Sequence, residues 1–412
     1  MMISRHRLPS RRMMQMTKDK AMNAETPVYV FDKDKFQKNI DAINHAFGIR
    51  YPNFRIGYSY KTNYASAVCR LANKLGCYAE VVSPMEYAHA LKLGVNHEDI
   101  IYNGVIKDID GKVEVAMYGG IVNVDNIDEL IELNDRFAKI GCNARVGVRL
   151  NFDIGNGVVS RFGFDVGGED YERMKLLFKY SSCMTLVGVH CHISKARELP
   201  FWEKRVEGVI KVVNDLIYSG CIKDLEYIDL GSNLYGSMEP CLAEQFGEYI
   251  PTFSDYADVI CKPLYKAFRD RLPQLILEPG TPAVANAMGV LASVVGMKTV
   301  QGKTFLLMDC SKFNLGAIAG VKNVPIKVYR FSKGEHVENA DMVGYTCIED
   351  DVVYLGFTGG IGIGDKVLFK NVGAYSNTFS PQFIMPTIGM VEDNGKTLKR
   401  RDAYKDVFGR YQ

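Results

Sequence analysis

Short apolar runs recur along the first two-thirds of the chain. Each closes on a polar or charged residue, and most are followed by a stretch with apolar positions three to four apart. The runs cover 55–61, 77–82, 100–103, 120–125, 145–151, 186–193, 225–231 and 274–280. Helical spacing predicts helices over 64–75, 84–93, 127–140, 169–181, 201–219 and 241–270. Eight alternating strand and helix units predict an α/β protein built on a (β/α)8 TIM barrel. The runs are rich in Val, Ile and Leu and do not alternate cleanly, as expected of strands covered by helices. Ahead of them, 26–32 reads as a strand that opens on Pro27. Asp32 is placed to cap a helix carrying Phe36, Ile40, Ile43 and Phe47.

Beyond about residue 282 the pattern changes. Strands are predicted over 290–300, 303–309, 326–331, 352–357 and 366–369, with no regular helices between them. Gly359-Gly360-Ile361-Gly362 and Gly364-Asp365 supply turns. The expected division is a barrel over 33–281 and a C-terminal β-rich sandwich or barrel over 282–412 that also takes in the N-terminal strand, 25–32. Residues 1–24 carry Arg5, His6, Arg7, Arg11, Arg12, Lys18 and Lys20 without a secretory apolar core, and read as a disordered basic tail.

Composition adds mostly exclusions. The 412 residues are 47% hydrophobic and 24% charged, and the net charge of +2 gives no case for nucleic-acid or membrane binding. No apolar run reaches a membrane span. Ten cysteines without a CxxC pair suit free thiols in the cytoplasm. No HExxH or other metal pattern is present.

The ends of the eight runs carry the chemistry. In order they present Lys61; Glu80 with Ser83; Asn103; Asp125 and Asn126; Arg149 and Asn151; His190 and His192; Asp229 with Gly231; Glu278 with Gly280. Strand C-termini converge on the catalytic mouth of a barrel. A lone strand-end lysine is most often solvated; one lysine, a histidine pair and several acids on one rim fit a polar active site. Small residues in Gly231-Ser232-Asn233 and Gly280-Thr281 follow runs seven and eight, where barrels commonly bind phosphate.

Nine pieces in order resemble the fold-type III pyridoxal-phosphate decarboxylases, the ornithine/diaminopimelate/arginine decarboxylase family related to alanine racemase. They are Tyr60-Lys61-Thr62-Asn63, Glu80-Val81-Val82-Ser83 with Glu86, Val148-Arg149-Leu150-Asn151, Arg161-Phe162-Gly163-Phe164, Gly188-Val189-His190-Cys191-His192-Ile193, Asp229-Leu230-Gly231, Glu278-Pro279-Gly280, Gly344-Tyr345-Thr346-Cys347 and Gly373-Ala374-Tyr375. The resemblance implies a homodimeric α-decarboxylase of an amino acid or amino-acid derivative with pyridoxal 5'-phosphate. It implies that Lys61 carries the cofactor as an aldimine, His192 stacks on its ring and Glu278 bonds its pyridine nitrogen. Gly231, Ser232 and Gly280 would donate to the phosphate, with the Tyr375 hydroxyl. Glu80, Arg149, Asn233 and Thr281 complete the implied cofactor site, and Cys347 would reach the partner subunit's site and act in protonation. Tyr345, Ile348, Phe383 and Asp309 are the implied substrate contacts.

Three departures qualify the resemblance. Thr281 stands where the family often has arginine, and Ile348 where diamine-forming members often carry an acid. Ser194-Lys195-Ala196-Arg197 replaces a small Gly-Ser turn, and Lys195 and Arg197 either restore the lost charge near the phosphate or bind an acidic substrate arm. Phe379-Ser380-Pro381-Gln382-Phe383 is similar to decarboxylases of modified amino acids. These features make ornithine, lysine and diaminopimelate less secure as substrates and point toward a modified amino acid of polyamine, siderophore or other secondary metabolism. Two alternatives stand beside this reading: an amino-acid racemase on the same fold, which Glu278 argues against, and a catalytically silent homologue, which the presence of both Lys61 and Cys347 argues against.

Overall fold

A computed structural model describes residues 21–247 and 249–411. The described residues divide into two compact units: a barrel unit of residues 37–237 and 249–283, and a sheet unit of residues 21–36, 238–247 and 284–411. Most of the expected basic tail, residues 1–20, lies outside the described residues. Its last residues do not behave as a tail: Ala21–Asn23 form a turn of 3-10 helix. Ala21 and Met22 are buried against Val28, Val30, Leu291 and Val391, because their apolar side chains complete that core.

Numbered along the chain, β1 (Val28–Phe31) belongs to the sheet unit and β2 (Phe54–Ser59) opens the barrel. The barrel continues through β3 (Tyr78–Val81), β4 (Ile100–Tyr102), β5 (Ile121–Val124) and β6 (Ala144–Asn151), which β7 (Phe164–Asp165) extends. It then runs through β8 (Met184–His190), β9 (Ile222–Asp229) and β10 (Gln274–Leu277). All pairings are parallel, and β10 pairs with β2 to close eight strands. Each predicted run overlaps one of these strands; β2, β6, β8 and β9 start one to three residues earlier than expected, and all but β6 end one to three residues earlier, where the chain turns into its loop. Tyr227 of β9 fills the interior beside Tyr78, Ile101, Val187 and Ile276. Gly147 and Gly188 admit it, since a Cβ at either would run into the Tyr227 side chain.

Two helical expectations need correction. Ile109–Met117 is a helix that the spacing missed, because Gly111 and Lys112 interrupt its apolar face; the Lys112 stem is buried and its ammonium meets Glu132 at 2.8 Å. The single helix expected over 241–270 is instead a short Pro240–Ala243 turn and a separate helix Phe253–Phe268. Pro251 breaks the run, and Thr252 restarts it with a capping box to Asp255.

In the sheet unit, β11 (Met288–Val300), β12 (Lys303–Met308), β13 (Ile326–Tyr329), β14 (Glu335–Val343), β15 (Val352–Ile361), β16 (Lys366–Phe369), β17 (Gly389–Glu392) and β18 (Thr397–Lys399) form one sheet with β1. Its order is β15-β14-β12-β11-β1-β17-β18, with β16 bridging β11 and β13. The N-terminal strand thus joins the C-terminal sheet as expected, antiparallel to β11 and parallel to β17. β14, β17 and β18 were not predicted; β14 reads as a polar segment because much of it faces solvent. Among the described residues no helix is long and apolar enough to cross a membrane.

Candidate active site

Lys61 lies in the single 3-10 turn Tyr60–Thr62 directly after β2. Its Nζ sits 2.7 Å from Glu80 Oε2, at the end of β3. Glu80 is buried and also accepts the Ser59 hydroxyl at 2.5 Å and Asn103 Nδ2 at 3.1 Å. The same Asn103 Nδ2 lies 2.5 Å from Glu278 Oε1, and Asn103 Oδ1 accepts Asn123 Nδ2 at 2.9 Å. Tyr227 donates its hydroxyl to Asn123 Oδ1 at 2.8 Å. Buried polar groups must find partners, and here they find one another in a chain of bonds from Lys61 to Glu278.

Glu278 is 4% exposed and lies 3.6 Å from His190 Nε2. His190, Asp229 and Glu278 each bring a ligand-type atom within 4.8 Å of the others. Burial pushes the Glu278 carboxyl up, but the His190 imidazole, Lys61 and the Asp229 hydrogen bond outweigh it and hold Glu278 below the ordinary carboxylate range. Asp229 moves the other way: burial, then the Glu278 charge, raise it well above the usual value. Two buried carboxyls side by side thus titrate apart, Asp229 raised and Glu278 lowered, which favours Glu278 as the anion of the pair.

His192 Nδ1 accepts the Ser232 N–H at 3.1 Å. Burial, then Lys61 and Arg149, depress the imidazole well below its usual value, so it stays neutral and its face is free to stack. Arg149 donates to the His192 carbonyl at 3.2 Å, faces Asp125 at 3.5 Å and lies over the Phe162 ring at 4.6 Å. Gly231 has φ +60°, and a Cβ there would strike His192. Its N–H is already given to Asp229 Oδ1 at 2.8 Å, so the sequence expectation is corrected: Gly231 supplies room rather than a free donor. Gly280 likewise makes room, since a Cβ would fall on Thr62 Oγ1. The Ser232 hydroxyl is buried and has no partner among the described residues. Asn233 accepts Arg197 Nε at 3.3 Å, and Thr281 opens the short helix Thr281–Val284. An anionic carboxylate, a neutral stacking imidazole, a lysine amine and a small-residue cradle with an unpartnered hydroxyl fit pyridoxal phosphate.

The remaining expected residues lie in the sheet unit. Cys347 is exposed at the tip of a turn built on buried Asp351, which accepts the Lys312 N–H, the Thr346 N–H and the Thr346 hydroxyl at 2.8, 3.1 and 2.7 Å. Ile348 is half-buried beside it and donates its N–H to Thr346 Oγ1. Tyr345 is half-buried, and burial raises its hydroxyl despite a bond to Ser311. Tyr375 adopts φ +55° with its ring 5.4 Å from Phe379, and Phe383 meets Phe313 edge-on at 6.2 Å. Asp309 is a correction. Its carboxylate takes the Thr26 hydroxyl at 2.5 Å and the Ser293 N–H at 2.8 Å, so it ties the sheet together rather than offering itself to a substrate amine.

Sequence reasoning missed Ser59, Asn123 and Tyr227 of the network, and the buried Arg205 outside it. Asn123 left a signal, a polar residue in the apolar strand Ile121–Val124; Arg205 left another, a cation among Trp202, Val206 and Val209 on the buried face of helix Leu199–Tyr218. Tyr227 left none.

Residues 33–285 match the family model described as the pyridoxal-dependent decarboxylase, pyridoxal binding domain. The chain belongs to this family. It is 28% identical to the diaminopimelate decarboxylase of Aquifex aeolicus, with 94% of this chain and 92% of the relative covered. It is also 28% identical to that of Methanocaldococcus jannaschii, at 93% and 91% coverage. The crystal structure of the M. jannaschii enzyme superposes with a TM-score of 0.84 at 25% identity, covering 95% of this chain and 93% of that one. The chain is therefore a pyridoxal-phosphate-dependent amino-acid decarboxylase, a carboxy-lyase, and the racemase and silent alternatives are not favoured.

Proposed function

We propose that Lys61, Glu278 and His192 are the chemical centre of this α-decarboxylase. The observation that carries the reading is the bonded path Lys61–Glu80–Asn103–Glu278, which joins an amine to an anionic carboxylate inside one buried network. When bound, the cofactor supplies an electron-accepting ring for the pair released as the α-carboxylate departs as CO2. Glu278, held anionic, would pair with the ring nitrogen and favour its protonated form, and neutral His192 would pack against the ring. Lys61, oriented by Glu80, anchors the cofactor and moves a proton at the substrate's α-carbon. Ser232, Asn233, Gly280 and Thr281 would hold the phosphate end, with Gly231 giving it room.

The proposal includes a homodimer in which a second copy supplies Cys347 as proton donor. The exposed thiol on a turn fixed by Asp351 supports it. A cytoplasmic location is proposed with it, on ten unpaired cysteines. For the substrate, Ile348 beside Cys347 and the engaged Asp309 disfavour a bare distal ammonium. The reading favours an amino acid with more than an amine at its far end. That class takes in diaminopimelate, named for the relatives, and carboxylated or otherwise modified amino acids. Borohydride reduction should trap the cofactor on Lys61, located by peptide mapping. CO2 release should be faster from diaminopimelate or carboxylated polyamines than from ornithine or lysine; rapid turnover of ornithine would sink the substrate reading.

A further inference from the structure

Arg205 is fully buried and has no role in the site described above. It stands on the helix Leu199–Tyr218 among apolar neighbours, with its guanidinium 3.9 Å over the Trp202 ring. Nη1 donates to the carbonyls of Leu230 and Ser232 at 3.2 and 3.0 Å, and Nη2 to that of Ile193 at 2.8 Å. Among the described residues Nε has no partner and no carboxylate pairs with the guanidinium. Burial draws its pKa down to about 10, so the group remains charged at neutral pH. A buried cation with no anion is costly, and carbonyl dipoles offset only part of that cost.

All three carbonyls belong to the segments that follow β8 and β9. In a planar trans peptide the N–H points opposite to its C=O. Carbonyls turned toward Arg205 therefore direct the N–H groups of Ser194 and Asn233 away from it. Further bonds stitch the two segments together. Asn233 Nδ2 reaches the Ile193 carbonyl at 3.5 Å, Arg197 Nε reaches Asn233 Oδ1 at 3.3 Å, and Arg197 lies 5.0 Å over the Tyr235 ring. Tyr256 donates its hydroxyl to the Arg197 carbonyl at 2.6 Å and accepts the Tyr235 N–H at 3.3 Å. The unpartnered Ser232 hydroxyl lies within this same stitched region.

We infer that Arg205 is the buried counter-charge and positioning residue for the cofactor's phosphate, with Arg197 as a second cation, and that together they replace the arginine absent at Thr281. Arg205 acts through the loop backbone and its field; Arg197 acts at the rim. The inference rests on the pyridoxal-phosphate reading of the site.

The test titrates the full-length protein, freed of cofactor, with pyridoxal phosphate and with pyridoxal, which lacks the phosphate, reading absorbance. Arg205→Met should weaken pyridoxal phosphate by about 10- to 100-fold and pyridoxal by less than about threefold, the scale of one lost charge-assisted interaction. Arg205→Lys should fall between Met and wild type. Arg197→Met should cost about three- to tenfold, again only for the phosphorylated ligand. Equal losses for both ligands, or none for either, would overturn the inference. If Arg205→Met does not fold, inorganic phosphate alone should raise the melting temperature of the cofactor-free wild type, less so for Arg205→Lys and Arg197→Met; equal shifts in all three would overturn it. A wild type that binds neither pyridoxal phosphate nor pyridoxal sinks the cofactor reading instead, and the phosphate arm still decides the role of the arginines.

Discussion

The barrel's strand ends and the segments beyond β8 and β9 are built on opposite electrostatic plans. At the strand ends Glu80, Asn103 and Glu278 are buried and bonded through Asn103, Asp229 lies buried beside Glu278, and the cluster is net acidic. In the segments beyond, Arg205 and Arg197 bring positive charge, Arg205 finds only carbonyls, and Ser232 keeps an unpartnered hydroxyl. In the first region the bonds from Lys61 to Glu278 close within the protein; in the second, among the described residues, a buried cation and a hydroxyl lack an anion or a partner. The contrast matches a cofactor with a protonated ring nitrogen at one end and a phosphate at the other, and it places preorganisation in the acidic network and binding energy in the cationic loops.

Four changes probe that contrast, from the largest effect to the smallest. Lys61→Ala should lower CO2 release by more than about a thousandfold and abolish borohydride labelling; residual activity within tenfold of wild type would remove Lys61 from the chemistry. Glu278→Gln should cut kcat by about 100- to 1000-fold while leaving pyridoxal-phosphate affinity within a few-fold. If it lost affinity and kept kcat, the division between chemistry at the strand ends and binding in the loops would fail. Gly231→Ala combines a left-handed φ with a Cβ placed against His192, and should weaken cofactor binding by about tenfold through strain of about 1–3 kcal/mol; an unchanged titration would show that the loop relaxes. The smallest effect is electrostatic. Burial, partly offset by the Val82 N–H, pushes Glu86 up to about 7. Its folded value lies above its unfolded one. Its contribution to stability is therefore complete below about pH 4.5 and lost as pH rises through about 7, by at most about 3 kcal/mol. Glu86→Gln should flatten that decline in urea melts of the cofactor-free protein between pH 5 and pH 8; parallel curves would assign the decline to other groups.

Much of the site was readable because barrel strands are local apolar runs with their working residues at one end. Lys61, Glu80, Asn103 and Glu278 are such residues, and the structure joins all four in one network. Asp309 was misread because its partner Thr26 lies far away in the chain and reaches it only after β1 has joined the sheet. Gly231 looked like a phosphate donor in one dimension; the fold gives its N–H to Asp229 and its missing Cβ to His192. The helix Ile109–Met117 escaped because a paired lysine occupies its buried face. Polar β14 escaped because exposed strands lack a strong apolar signature.

By itself the sequence specified a barrel, its strand order, the lysine at the end of β2 and the family those motifs resemble, because periodicity and motif spacing are local properties of the chain. The tertiary structure alone decided which carboxyl is raised and which lowered, which donors are already spent and where a buried arginine stands with no carboxylate partner among the described residues. Those outcomes depend on desolvation and on bonds between residues brought together only by the closed fold.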